Sequence, residues 1–308
     1  MNTRLLKLRY RLAAVRSKTS LFSRRPEALL FYIRHYSVEK RVARRFALTV
    51  VSYPKSGRTW LEQLLLAALG HHLGLRFGED ATYTKIAAGA DKIPLIGFTH
   101  AGGSWETATL TPAEIAAHAP RQIVGGRFVY LYRDPRDVLV SAYHHARNRS
   151  DIGWLRPQDM LDDPIVGLPK VVAFMNNWTR RVEDAPGRAM RLSYEALKAA
   201  PQQRLRELCR FMTLPFSDDA IDKAIEDCRF ERLQQREIAA TGGNPWLAPV
   251  DPTNRNSFKF REGRSGSYKT FFDADQIKWI DEYMATHLLQ AEEYLAPAPV
   301  GMGAAVKA

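Results

Sequence analysis

The run Leu48-Thr49-Val50-Val51-Ser52-Tyr53 is short, β-branched and almost continuously apolar, and Pro54 cuts it off. A strand that is apolar on both sides needs cover on both sides, as parallel sheets receive from their crossover helices. After Lys55-Ser56-Gly57-Arg58 the period changes. Leu61, Leu64, Leu65, Ala68 and Leu69 fall on one side of a helix predicted over 59–73. The alternation then recurs, with strands predicted over 94–99, 127–132 and 189–193. Helices are predicted from Pro135 through Tyr143, over 168–182, and several times over 201–236. Thr111-Pro112-Ala113-Glu114 adds a helix start, with Thr at the N-cap, Pro at N1 and Glu at N3. This order predicts an α/β chain with a central parallel sheet and helices on both of its faces. With 308 residues and 45% hydrophobic content there is material for a large core, which excludes a disordered chain or a stapled miniature.

Ligands of such sheets sit beyond the carboxyl ends of the strands. Three polar loops start there, at Tyr53, His100 and Arg133. The first, Tyr53 to Trp60, joins a buried strand to a helix and offers backbone N–H groups, a flexible Gly57, Lys55 and two hydroxyls, the makings of an anion cradle. It is not a Walker A loop, because Lys55 precedes Gly57, and nothing sets a Ser/Thr and an acidic residue together for Mg²⁺. The reading is a phosphorylated ligand held without a required metal; a plain strand–turn–helix junction with a surface Lys has the same look. In the second element Ser141 follows Arg133 by eight residues, so that a guanidinium fork and a hydroxyl can meet one anion. The competing reading is a surface ion-pair cluster of Arg133, Asp134, Arg136 and Asp137. A third element, from Phe260 to Lys269, is a basic, Gly-rich loop before the last helix. The long stretches 147–169 and 240–258 read as lids or binding loops.

Charge divides the chain. Residues 1–46 hold thirteen Lys/Arg against Glu27 and Glu39, a net +11 out of the whole chain's +12. The expected division is therefore a basic arm over 1–46, a near-neutral folded body over 47–296 and a tail over 297–308. The stretch 24–46 mixes basic and apolar residues, as a surface helix does. An arm of this kind suits anionic lipid head groups or another polyanion. Nucleic acid is not expected, since the body is near neutral and its aromatics do not interleave with basic runs. No apolar run reaches the length of a membrane span. Cys209 and Cys228 are too few for a disulfide framework, and the expected setting is cytoplasmic, with peripheral contact at the inner face of the membrane.

Taken together and in this order, these three elements, Tyr53 to Trp60, Arg133 to Ser141 and Phe260 to Lys269, resemble the sulfotransferases that use 3′-phosphoadenylyl sulfate (PAPS), in particular the cytosolic type and its bacterial relatives. Tyr53 to Trp60 is similar to that family's Tyr-Pro-Lys-Ser-Gly-Thr-Thr-Trp loop for the 5′-phosphosulfate. Tyr132-Arg133-Asp134-Pro135-Arg136-Asp137-Val138 through Ser141-Ala142-Tyr143-His144 is similar to its 3′-phosphate segment. Arg261-Glu262-Gly263, followed by Gly266, Tyr268 and Lys269, is similar to its late Arg-Lys-Gly loop. The resemblance implies a P-loop-like three-layer α/β/α fold, a single sulfotransferase domain, and PAPS as donor with no metal. It implies that Lys55 meets the sulfate and the bridging oxygen, with Ser56, Gly57, Arg58 and Thr59 supplying further donors. Trp60 and Phe230 would flank the adenine and Tyr194 would help hold it. Arg133, Ser141, Arg261 and Gly263, with Glu262 between the last two, would hold the 3′-phosphate. His100 follows a strand and a Thr, as the family's catalytic His does.

The chain also departs from the pattern. Phe98 stands where the cytosolic enzymes carry a Lys before Thr-His, and Ala101-Gly102-Gly103 follows the His. Arg58 replaces a Thr and restores some positive charge, Arg229 replaces a small hydroxyl residue, and Glu262 replaces a Lys. The expected reaction moves a sulfuryl group to an acceptor hydroxyl with His100 as general base; the rival base is a carboxylate such as Glu79 or Asp80. Trp105, Trp154, Trp178 and Trp246 are placed near the acceptor, which is read as a sugar, glycolipid, phenol or small alcohol. The other histidines, His144 and His145 included, are read as structural. Two competing functions share features of this sequence: a P-loop kinase-like phosphotransferase, and a non-enzymatic basic module that binds membranes.

Overall fold

The computed structural model describes residues 3–24, 46–78, 81–118, 126–150, 152–239 and 247–295. Its sheet has four strands, β1 (Leu48–Ser52), β2 (Ile96–Thr99), β3 (Arg127–Tyr132) and β4 (Ala189–Ser193), in the order β2-β1-β3-β4. Every pair is parallel, with Val50 opposite Phe98 and Val129, and Val129 opposite Met190. The longer helices are α1 (Thr3–Arg24), α2 (Arg58–Leu73), α3 (Pro135–Arg149), α4 (Leu168–Glu183), α5 (Pro201–Met212), α6 (Asp218–Asp227), α7 (Phe230–Ala239) and α8 (Ala274–His287). The parallel α/β arrangement expected from the period changes is therefore the one found.

Alternation along the strands divides the core into two layers. Leu48, Val50, Val129 and Leu131 pack with Leu61 and Leu65 of α2, Leu205 and Leu208 of α5, and Ile221 of α6. Val51, Phe128 and Tyr130 point the other way, onto Val138 of α3, Phe174 and Trp178 of α4, and Ile280 of α8. Each fully buried Leu, Val or Phe contributes roughly 1.5–3 kcal/mol, so both layers are needed to hold the sheet. The chain leaves β1 for β2 on one side and reaches β3 on the other. This reversal opens a crevice at the carboxyl ends of β1 and β3.

Helix α1 packs on the second of these layers. Leu6, Tyr10 and Ala13 are buried there, the Tyr10 hydroxyl donates to Asp163 (2.9 Å), and Lys7 pairs with Glu114 (2.7 Å). Arg9 lies over the Trp154 ring, 4.3 Å from its centroid. Of the surface helix expected over 24–46, residues 25–45 lie outside the described residues.

The stretch 147–169 differs from its expectation as an open loop. Ile152, Leu155, Met160, Ile165 and Val166 are all buried in the core layer beneath α4, with a short helix at Asp159–Asp162. Apolar side chains spaced without a period gave no helix or strand signal, yet they anchor the segment. Among the described residues no helix is long and apolar enough to cross a membrane.

Candidate active site

The turn from β1 into α2 is an anion cradle in its backbone before any side chain is counted. Lys55 (φ 74°) and Gly57 (φ 95°) both adopt left-handed conformations, and Gly57 caps α2 without any side-chain bond. The first intrahelical bond runs from Leu61 N–H to Gly57 C=O (3.1 Å), so the N–H groups of Arg58, Thr59 and Trp60 have no intrahelical acceptor. Arg58, Thr59 and Trp60 all line the crevice, at the positive end of the α2 dipole. A Cβ on Gly57 would lie 2.5 Å from Tyr194 Cδ2, so this position needs glycine for space as well as for φ.

The second and third loops are tied to the first. Arg133 donates to the Lys55 carbonyl (3.3 Å) and the Arg264 carbonyl (3.0 Å), and its guanidinium lies 4.5 Å from the Tyr194 ring centroid. Its Nε is buried and has no hydrogen-bond partner. Asp137, in the first turn of α3, accepts from Gly266 N–H (2.7 Å), the Ser267 hydroxyl (2.9 Å) and Tyr268 N–H (3.3 Å), and pairs with Arg133 at 3.7 Å. Arg136 and Asp137 are buried rather than spread over the surface, and Arg136 bonds Asp134 (2.8 Å) and Asp281 (3.0 Å). The charged cluster is therefore the clasp that holds the late Gly-rich loop against α3. On the other side of that loop, the buried Glu237 accepts from the N–H groups of Lys259 (2.6 Å) and Phe260 (2.9 Å).

These ties bring Lys55, Gly57, Arg58, Thr59, Trp60, His100, Arg133, Ser141, Tyr194, Phe230, Arg261, Glu262 and Gly263 to the wall of one cavity of about 1710 Å³. Ser56 is the exception among the expected residues. It is buried away from the cavity, and its N–H donates to the Tyr53 carbonyl (3.3 Å). Trp60 and Tyr194 meet edge to face, 5.6 Å between centroids, and the Trp60 indole N–H donates to the Cys228 carbonyl (3.3 Å). Glu262 bridges Arg261 and Arg264. Gly263 (φ 62°) lies so close to Phe230 that a Cβ would come within 2.4 Å of the ring. Gly263→Ala is expected to cost about 1–3 kcal/mol through overpacking and backbone strain, measured as a lowered Tm.

The surroundings of His100 favour its neutral form. Its Nδ1 lies 2.9 Å from the Ser52 carbonyl, which can only accept, so the proton sits on Nδ1 and the lone pair on Nε2. Burial, and secondly the charge of Arg58, push its pKa well below the usual imidazole range. Lys55 is pushed down to about 7, by burial first and then by Arg149 and Arg133. Its Nζ is 3.5 Å from His145 Nδ1, and His145 Nε2 faces Glu106 Oε1 at 3.5 Å. Burial raises the Glu106 carboxyl, but His145, Ser150 and Lys259 outweigh it and hold the group far below its ordinary range.

Several wall residues went unrecognised in the sequence. Lys259, pushed down to about 7 by burial and then by Arg149 and Lys55, lines the cavity between the buried Phe258 and Phe260. Only that Phe-Lys-Phe alternation hinted at it. Arg149, at the end of α3, donates to the Ser257 and Ala248 carbonyls (2.5 and 3.1 Å) and had no sequence signal. His145, expected to be structural, lines the wall, whereas His144 packs against Tyr143 and Phe271. Of the four tryptophans placed near the acceptor, Trp105 lines the cavity. Trp154 lies under α1, Trp178 is in the core against Phe128 and Phe174, and Trp246 is outside the described residues, as are Glu79 and Asp80.

Basic, aromatic and imidazole side chains thus line one crevice at the carboxyl ends of the strands, and comparison with known proteins gives the family. The sulfotransferase domain family matches residues 47–292. The chain belongs to the sulfotransferase family. The flavonol 4′-sulfotransferase of Flaveria chlorifolia is 25% identical over 251 residues, covering 75% of each chain. Human sulfotransferase 2A1 is 24% identical over 259 residues, covering 80% of this chain and 86% of its own. Mouse sulfotransferase SULT7A1, solved in complex with PAP, superimposes with a TM-score of 0.56 at 18% identity over 79% of this chain and 84% of its own, a likeness of fold. As a sulfotransferase the chain is an enzyme that transfers sulfuryl groups, built on a single domain around the parallel sheet.

Proposed function

We propose that this sulfotransferase moves the sulfuryl group of PAPS to the hydroxyl of a small acceptor, with His100 as general base. One observation carries the reading: six separated segments of the chain converge on one cavity with two distinct cationic stations. The residues fit a nucleotide 3′,5′-bisphosphate. Lys55 and the amides of Arg58 to Trp60 form the 5′ station, while Arg133, Ser141, Arg261 and Gly263 form the 3′ station. The unpartnered Nε of Arg133 is a feature a close-fitting anion would use. Trp60, Tyr194 and Phe230 lie in the same wall and offer flat faces to a base.

The chemistry follows from these positions. A hydroxyl is too weak an acid to ionise alone at neutral pH, and His100 Nε2 takes its proton as the acceptor oxygen bonds to sulfur. The bond from sulfur to the 5′-phosphate oxygen breaks in line, and the electron pair stays on that oxygen. Lys55 and the α2 amides stabilise the charge that develops there. Arg58 and Lys259 supply cationic field where Phe98 replaces the family's Lys. Glu106 through His145 holds the Lys55 ammonium in place. The acceptor side is bounded by Trp105 and His145, a half-aromatic wall suited to a phenol or a sugar face. The name of the flavonol enzyme among its relatives accords with an acceptor of small-molecule size.

The deciding experiment is thermal unfolding with 3′-phosphoadenosine 5′-phosphate (PAP), beside AMP, ADP and ATP with Mg²⁺. At about 100 times Kd a ligand adds about 2.7 kcal/mol, which is a rise of several degrees for a chain of this size. A rise specific to PAP without metal is the expected result. A rise with ATP and Mg²⁺ alone would move the chain to phosphoryl transfer.

A further inference from the structure

Helix α1 is apolar on two faces. Leu6, Tyr10 and Ala13 are buried against the body, while Leu5 and Val15 are 62% exposed, Leu12 56% and Leu8 52%. Spacings of three, four and three residues align those four on one stripe, turned away from the buried face. Arg4, Arg9, Arg11 and Arg16 are exposed beside it, and α1 as a whole holds seven Lys/Arg and no Asp/Glu. The stripe also runs into the active site: Val15, Arg16, Lys18 and Thr19 help to line the cavity, as does Val250, itself 48% exposed.

We propose that α1 is a docking face for an anionic lipid bilayer, its Leu5–Leu8–Leu12–Val15 stripe lying among the head groups and its arginines on the lipid phosphates. The charge decides between occupants. A second copy of this chain would bring two acid-free basic helices face to face, whereas an anionic surface complements both the stripe and the charge around it. Docking of this kind sets the cavity mouth beside the lipid–water interface. The acceptor is then an amphiphile presenting its hydroxyl from that interface, a consequence that rests on the sulfotransferase reading although the docking itself does not.

The test is co-sedimentation with vesicles of phosphatidylcholine alone and of phosphatidylcholine mixed with phosphatidylglycerol. The unaltered protein is expected to sediment with the mixed vesicles only, and less as salt rises. A Leu8→Glu/Leu12→Glu variant is expected to lose at least about tenfold in vesicle binding, while keeping its Tm and its response to PAP. Should that variant fail to fold, the milder Leu8→Gln and Leu12→Ser are read the same way. The proposal falls if the unaltered protein ignores anionic vesicles, or if the variants sediment as it does. It also falls if ultracentrifugation shows a dimer that the variants dissociate. A missing PAP response alongside intact vesicle binding would overturn the donor reading and leave the docking standing.

Discussion

His100→Ala is expected to lower kcat by about 10²–10⁴-fold and to leave the thermal shift given by PAP unchanged. The split follows from where the ring sits. Ser52 fixes the Nδ1–H tautomer from behind, leaving Nε2 as the free lone pair, and none of the bonds that shape the two cationic stations involves His100. A base must also be unprotonated, and burial together with Arg58 keeps this imidazole neutral at neutral pH. Because its pKa lies below the usual value, the acid limb of kcat/KM should fall below about pH 6.5. Loss of activity on acidification should disappear in the variant's residual rate. Glu106 is a carboxylate of the same wall, but with its pKa held so low it makes a poor base. Near-normal turnover in His100→Ala would remove the imidazole from the mechanism and send the search to a carboxylate.

The fold was readable because its signals are local. β1 and β3 are near-continuous apolar runs buried on both faces of the sheet, and α2 shows its apolar side at helical spacing. The Lys55 loop and the Arg133–Ser141 pair were readable for a related reason, since each lies at a strand end and carries its chemistry within a few residues. What closes the site is not local. Asp137 clasps a loop 129 or more positions away, and Glu237 holds Lys259 from a different helix. Neither contact leaves a periodic trace. The Asp134–Asp137 cluster looked like solvated charge because sequence alone does not say that Asp281 and the 266–268 amides will meet it. Ser56 is the opposite case: its place in the motif says nothing of whether its hydroxyl faces the cavity, and burial decides that it does not. The role of α1 was half visible, its charge in the composition and its packing only in the fold. Two apolar faces on one helix cancel in any average, so neither stands out.

Lys55→Met is expected to cost about 10²–10³-fold in kcat and to flatten the pH dependence of donor binding. In the proposed reaction the Lys55 ammonium, in the loop after β1, meets the charge that develops on the departing phosphate oxygen, and removing it leaves only amide dipoles to do so. The pH effect comes from its partner as well. Lys55 and Lys259 are each pushed down to about 7 by burial and by the surrounding cations, so above that pH both tend to be neutral. A bound bisphosphate favours their charged forms, and binding must then take up protons. The affinity for PAP is accordingly expected to be greatest below about pH 7 and to weaken as pH rises, by up to about tenfold per unit for each lysine that must be reprotonated. Calorimetry in buffers of different ionisation enthalpy would count those protons. Lys55→Met and Lys259→Met should each remove about one of them. In the ligand-free protein the sign reverses: the folded state binds fewer protons than the unfolded chain between about pH 7 and the ordinary lysine pKa, so Tm should rise with pH across that window. A PAP affinity independent of pH, with no proton uptake, would mean that neither lysine meets the nucleotide, and the charge stabilisation assigned to Lys55 would have to come from Arg58 and the α2 amides.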